Sequence, residues 1–191
     1  PTELQANYDP LAFLPVGGKP DDQISISIPR DTKIGWKIND DTDWHNEHCK
    51  QLSNHYSKSP YFMDYFMTIN DIICKGHDSL TELSVELIRY FMKELNIDTE
   101  IIYSSQLNPS GFGSEKIFSI LENLNATEYI TGSGPGSQRY INEEAFGRRN
   151  INLQWQDYNC KEYNQLFGDF IPYLSVVDLL FNHGKKAGEV I

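Results

Sequence analysis

Glu100-Ile101-Ile102-Tyr103-Ser104, followed by Ser114 to Leu124 and then by Thr127-Glu128-Tyr129-Ile130-Thr131, reads as strand, helix and strand. The order continues with a short helix over Glu143 to Arg149, a strand over Ile151 to Trp155 and, after a loop, a last helix over Leu174 to Asn182. Strands alternating with helices of this length predict parallel pairing, because parallel neighbours need a crossover and the crossover covers a face of the sheet. The expected class is α/β, a mainly parallel sheet with helices on both faces. In such sheets ligands sit outside the carboxyl ends of the strands, where loops from two crossovers diverge.

Upstream of this alternation, Trp44 to Leu95 is expected to be a helical segment. Asp43 can cap a helix from Trp44 to about His55, with Trp44, His48, Leu52 and His55 or Tyr56 on one stripe. Ser59 caps a second helix with Pro60 at its first position, and Tyr61, Phe62, Tyr65, Phe66 and Ile69 give that helix an aromatic face. Ser79 and Glu82 form a capping box for a third, with Leu80, Leu83, Leu87, Phe91 and Leu95 on its core side. Earlier still, Gln23 to Ile28 alternates apolar and polar residues and could pair with Ile34 to Ile38 as a short N-terminal strand pair. The first twenty residues carry too many Asn, Asp, Pro and Gly for a long element. No repeat, low-complexity tract or linker divides the chain, so a single domain over residues 1–191 is expected.

The composition suits a globular core: 191 residues, 39% hydrophobic and 13% aromatic. A net charge of −11 argues against general binding to nucleic acid or to anionic membranes, which leaves small molecules and protein partners. The three cysteines, Cys49, Cys74 and Cys160, are far apart and never form CxxC, so neither a disulfide framework nor a zinc site is signalled, and a reducing cytoplasm fits. No apolar run reaches the roughly 18 to 20 residues of a membrane span, and no signal peptide opens the chain.

Several groups could carry chemistry. The loop Gly132-Ser133-Gly134-Pro135-Gly136-Ser137-Gln138-Arg139-Tyr140 follows a strand, and its three glycines let backbone amides approach an anion to which Arg139 adds a full charge. It is neither GxGxxG nor a P-loop, and no cofactor is called for. Arg148 and Arg149 follow closely and could extend an anion site. The polar loop Ser104 to Ser114 could close over a substrate. His45, His48 and Cys49 have ligand spacing on one helix, yet no second cluster supplies the further ligands, so no metal is expected. Among the histidines, His48 shares a face with Trp44 and is the stronger general-base candidate. In the last helix Ser175 and Asp178 fit a capping box, which accounts for the carboxylate without function. It leaves Asn182, one turn on among Val176, Val177, Leu179, Leu180 and Phe181, unexplained. No nucleophile motif such as GxSxG occurs.

Five groups of residues occur in an order that resembles the WbqC-like family over roughly Ile24 to Gly184. They are Asp43-Trp44-x-x-x-His48; Tyr56-x-Lys58-Ser59-Pro60-Tyr61-Phe62-x-x-Tyr65; Ser133-Gly134-Pro135-Gly136 with Tyr140; Tyr163-x-Gln165-x-Phe167; and Leu174-Ser175-Val176-Val177-Asp178-Leu179-Leu180-Phe181-Asn182-x-Gly184. The closing group is the specific one. The resemblance implies a role in bacterial O-antigen or surface-polysaccharide synthesis, with transfer of an aminoacyl group to an amino sugar as the activity suggested for some members. Members usually open with a strand and a His-Gln-Pro-x-Tyr-Leu-Pro-like segment, of which Asn7-Tyr8-Asp9-Pro10 is a faint echo, so the N-terminal part is expected to be incomplete or altered.

Together these readings predict a transferase acting on a nucleotide-activated amino sugar. His48 and Asp178 are its expected catalytic residues, and Ser133, Gly134, Gly136, Arg139, Tyr140, Gln165, Ser175 and Asn182 its expected substrate contacts. A nucleotide-sugar glycosyltransferase and a non-catalytic sugar-nucleotide binding or assembly protein are the alternatives. The aromatic helix Tyr61 to Phe66 makes a self-association face, and hence a homo-oligomer, conceivable.

Overall fold

The computed structural model describes Ile38 and residues 43–191. Its elements run α1 (Trp44–Tyr56), α2 (Phe62–Cys74), α3 (Leu80–Glu94), a 3-10 turn (Ser104–Leu107), α4 (Ser114–Asn123), β1 (Glu128–Gly132), α5 (Pro135–Tyr140), α6 (Glu143–Arg148), β2 (Asn152–Gln156), α7 (Val176–His183) and a closing 3-10 turn (Gly184–Glu189). The chain resolves into two compact units: the described residues up to Asp98 together with Cys160–Ile191, and Thr99–Asn159. The N-terminal strand pair, including Gln23 to Ile28, and the Asn7 to Pro10 segment lie outside the described residues, apart from Ile38 itself.

The first unit is helical. α7 carries apolar residues all round and is correspondingly buried, with Leu180 and Phe181 fully enclosed. The Phe181 ring packs on Tyr56 of α1 and Phe62 of α2, at centroid distances of 5.2 and 5.1 Å, and the Tyr61 amide donates to the Phe181 carbonyl at 3.0 Å. Leu52, Tyr65, Ile69 and Ile73 belong to the same core. A neighbouring cluster of Ile72, Leu83 and Leu87 joins α2 to α3, and Ile38 packs against it. The aromatic face expected to mediate self-association is thus largely internal: Phe62 and Tyr65 are core residues, while Met63 and Met67 face outward.

Caps follow the expectations unevenly. The Ser79 hydroxyl accepts from the Glu82 amide at 3.2 Å, as a capping residue should. The Asp43 carboxylate instead accepts from the Asn46 side chain at 2.8 Å and leaves the first amides of α1 alone. α2 starts at Phe62 rather than Pro60, because Ser59 to Tyr61 form a turn in which the Ser59 amide donates to the Tyr56 carbonyl and the Phe62 amide to that of Ser59.

Between α2 and α3 an ion cluster ties the connection down. Both Glu86 oxygens accept from Lys75, at 3.0 and 3.1 Å, and one contacts His77 at 2.9 Å. The hydrogen bonds from His77 and then Lys75 hold the Glu86 carboxyl below the usual carboxylate range. A depressed folded-state value contributes stability above the unfolded value of about 4.3, and that contribution is lost as pH falls through the folded value. Glu86→Gln is therefore expected to flatten the acid limb of the stability profile, measured by urea unfolding at graded pH. The cost near neutrality should be only a few tenths of a kcal/mol, because the cluster is partly solvated.

In the second unit β1 and β2 pair in parallel, from Glu128 opposite Asn152 to Gly132 opposite Gln156. Phe118 and Leu121 of α4, Ala145 and Phe146 of α6, and Ile151 form its core. Among the described residues the sheet has two strands, which corrects the expected mainly parallel sheet with helices on both faces. Glu100 to Tyr103 is irregular and Ser104 to Leu107 is a 3-10 turn, so the strand expected over Glu100 to Ser104 does not form. A strand exists through its ladder, and no described segment supplies these residues with one.

Candidate functional site

The closing helix puts a carboxylate where its surroundings can use it. Ser175 caps α7 through its hydroxyl, which accepts from the Val177 amide at 3.3 Å. The capping-box expectation then fails at its second half, because the Asp178 carboxylate turns away from the helix start. Asp178 is 3% exposed. Its Oδ2 accepts from the Tyr163 hydroxyl at 2.7 Å and from the Gln165 amide at 3.2 Å, and its Oδ1 accepts from the Asn182 amide at 3.3 Å. Asn182 also donates to the Asp178 carbonyl at 2.8 Å, which fixes the one-turn spacing between them. A buried carboxylate is tolerated when donors surround it, and this one has three.

The donors are themselves braced. The Gln165 side chain accepts from the Ile171 amide at 2.8 Å and donates to the Ile171 carbonyl at 2.9 Å, closing the loop between them. The Tyr163 ring sits edge-on to Phe170 and His183, at centroid distances of 5.2 and 5.8 Å. Burial, reinforced by its bond to Asp178, raises the Tyr163 hydroxyl well above the ordinary tyrosine pKa. Tyr56 is raised likewise, first by burial and then by the Asp178 charge. Its hydroxyl is close enough to feel that charge but makes no hydrogen bond of normal geometry.

A pocket of about 170 Å³ opens here, lined by His55 and Tyr56 of α1, by Gln165, Phe167 and Leu174, and by Asp178. It is smaller than the roughly 300 to 1,000 Å³ of drug-sized sites, so it has room for only one small moiety or the end of a larger ligand. Carboxylate, imidazole, amide, phenol and an exposed aromatic ring converge on it.

Of the expected site residues, Asp178 and Gln165 line this pocket, with Asn182 bonded to Asp178 and Ser175 at the helix cap. His48 lies seven residues before His55 on α1, about 10 Å along the axis, and its ring stands edge-on to Trp44 at 5.4 Å. It is not among the lining residues. His55, Tyr56 and Tyr163 are the groups sequence reasoning left outside the site. The signals were present: His55 and Tyr56 fall on the stripe of His48 and Leu52, and Tyr163-x-Gln165-x-Phe167 places its residues on alternate positions.

Ser133, Gly134, Gly136, Arg139 and Tyr140 belong to the second unit. Ser133 and Gly134 precede α5, and Gly136, Arg139 and Tyr140 lie within it. The Gln138 amide donates to the Ser133 carbonyl at 2.9 Å and steadies the turn. A Cβ at Gly134 or Gly136 would meet nothing within 4 Å, and neither residue has positive φ. The cations expected to extend an anion site are engaged within their own unit. Arg149 lies 3.9 Å over the Phe118 ring and pairs with Glu115 and Glu122, while Arg148 pairs with Glu144. Among the described residues no group of three or more His, Cys, Asp or Glu is arranged to hold a metal, and no helix is long and apolar enough to cross a membrane.

The family model described as "WbqC-like protein family" matches residues 18–190. An uncharacterized protein of Mycobacterium tuberculosis is 30% identical over 161 residues, which cover 83% of this chain and 69% of that protein. No solved structure gives a significant match.

Proposed function

The chain belongs to the WbqC-like protein family, and from that premise we propose that it is a transferase modifying a nucleotide-activated amino sugar for bacterial surface polysaccharide, with the Asp178 pocket as its reacting centre. The observation that carries this reading is a buried, three-donor carboxylate sharing a small pocket with an imidazole. Three donors leave Asp178 a lone pair for a ligand amine. An imidazole is the side chain suited to accept and return a proton near neutral pH. The amine nitrogen attacks the carbonyl carbon of an activated aminoacyl donor, His55 takes the amine proton, and the imidazolium returns it to the departing group. The lining of the pocket favours His55 over His48 for this part. Its size suits the amine-bearing end of the substrate rather than a whole nucleotide sugar.

For the second unit by itself, we propose that the glycine-rich segment Gly132 to Tyr140 approaches a phosphate group. Neither packing nor backbone conformation calls for glycine at Gly134 and Gly136. Close approach of a phosphate to the main chain would call for it.

The test combines thermal-shift titration with nucleotide sugars and a purified aminoacyl-transfer assay. A nucleotide sugar at one hundred times its dissociation constant should stabilise the fold by about 2.7 kcal/mol. His55→Ala is expected to lower turnover by roughly 10²- to 10⁴-fold while keeping most of that stabilisation, and His48→Ala to change turnover little. Full turnover in His55→Ala, or no stabilisation by any nucleotide sugar, would overturn the reading. Sugar transfer without an aminoacyl donor would identify a glycosyltransferase, and binding without turnover a sugar-nucleotide binding protein.

A further inference from the structure

We propose that Cys49 and Cys74 form a reversible disulfide, with Cys74 reacting first with a low-molecular-weight disulfide such as oxidised glutathione. The two sulfurs lie 3.8 Å apart, although 25 residues separate them in sequence. Cys49 is on the buried side of α1, and Cys74 is the exposed last residue of α2. A disulfide needs about 2.05 Å between sulfurs, so closure asks for an approach of under about 2 Å. Cys74 ends its helix, where side-chain rotation and a small shift of the last turn can supply that movement.

The environments divide the chemistry between the two thiols. Burial, with Cys74 beside it, pushes the Cys49 thiol up to about 12, so the inner sulfur remains a thiol and does not begin an exchange. The outer sulfur is the one a soluble disulfide can reach. The Cys74 thiolate attacks one sulfur of RSSR, forming Cys74–S–S–R and releasing RS⁻. Cys49 then gives up its proton to a released thiolate and attacks the Cys74 sulfur, expelling the second RS⁻. Overall, two protein thiols and RSSR become one protein disulfide and two RSH. The bridge fastens α2 to α1, the helix that carries His55 and Tyr56 into the pocket. Cys160 stands apart from this pair, its sulfur accepting from the Tyr173 amide at 3.5 Å.

The test equilibrates the intact chain in glutathione buffers of rising oxidised fraction, quenches with acid, and maps thiols by alkylation and peptide mass spectrometry. Expected are the joint disappearance of free Cys49 and Cys74, a linked peptide containing both, and reversal by dithiothreitol. The apparent melting temperature should rise by about 5 °C on oxidation, since the bridge closes a loop of some 25 residues in the unfolded chain. In Cys49→Ala, glutathione should remain on Cys74 as the trapped first intermediate. A lasting glutathione adduct on Cys74 in the unmutated chain with Cys49 still free, or three free thiols at every ratio, would overturn the proposal.

Discussion

Asp178→Ala is expected to destabilise the fold by about 3 to 5 kcal/mol, the scale of breaking a buried charged network on one side. The variant keeps the donors and removes their acceptor. Asn182 retains the Asp178 carbonyl and Gln165 retains Ile171, but the Tyr163 hydroxyl loses its acceptor inside the core. One buried donor left without an acceptor accounts for about 1 to 3 kcal/mol, and the emptied volume beneath the pocket adds to it. Tyr163→Phe removes the donor without leaving that orphan and should cost less, about 1 to 2 kcal/mol. In a double-mutant cycle by urea unfolding the two losses should therefore be less than additive, by about 1 kcal/mol or more. Strict additivity would mean that Tyr163 and Asp178 do not stabilise one another.

The same network sets an alkaline limit. The folded-state values of Tyr163 and Tyr56 lie above the ordinary tyrosine value. A raised value contributes stability that is complete below the unfolded pKa of about 10 and is lost as pH rises towards the folded one. Stability should consequently decline above about pH 10, and Tyr163→Phe should make that decline shallower.

Gly184→Ala is the second large effect, expected at about 3 to 4 kcal/mol from two separate causes. Gly184 ends α7 with φ 60° and ψ −139°, a region that residues with a Cβ occupy only under strain, of the order of 1 to 3 kcal/mol. A Cβ there would also lie 2.6 Å from Cδ1 of the Tyr61 ring, an overlap that must displace the ring or the helix end. The Tyr61 main chain is held by the hydrogen bond from its amide to the Phe181 carbonyl, so relief of the overlap has to come from turning the partly exposed ring or shifting the helix end. Introducing Gly184→Ala into a Tyr61→Ala background separates the causes: the overlap disappears and the backbone strain of about 1 to 3 kcal/mol remains. An unchanged cost in that background would assign the whole effect to the backbone.

Much of the helical architecture was legible because helices are local objects. The stripes of α1 and α3, the span of α4 and the Ser79 and Ser175 caps involve residues within a turn or two of each other, and the structure places those elements within a residue or two of expectation. The pairing of β1 with β2 was legible for a related reason, since two strands joined by a helical crossover point the same way. The strand expected at Glu100 to Ser104 looked equally good locally and failed for want of a partner.

The candidate site divides along the same line. Asp178 and Gln165 could be singled out because a carboxylate on an apolar helix, and an amide within an aromatic segment, are conspicuous in the chain itself. What Asp178 bonds to could not be read there, and local logic assigned its carboxylate to the cap. Tyr163 and Gln165 reach it across 15 and 13 residues of chain. The choice between His48 and His55 is likewise invisible to periodicity, because both belong to one stripe; only the position of the pocket along α1 separates them. By itself, then, the sequence determined most of the helices, the Ser79 and Ser175 caps, the parallel pair of strands and the resemblance to a family. Tertiary structure alone decided which strand found a ladder, which imidazole lines the pocket of the carboxylate and which cysteines approach one another, because those outcomes rest on burial and on partners distant in the chain.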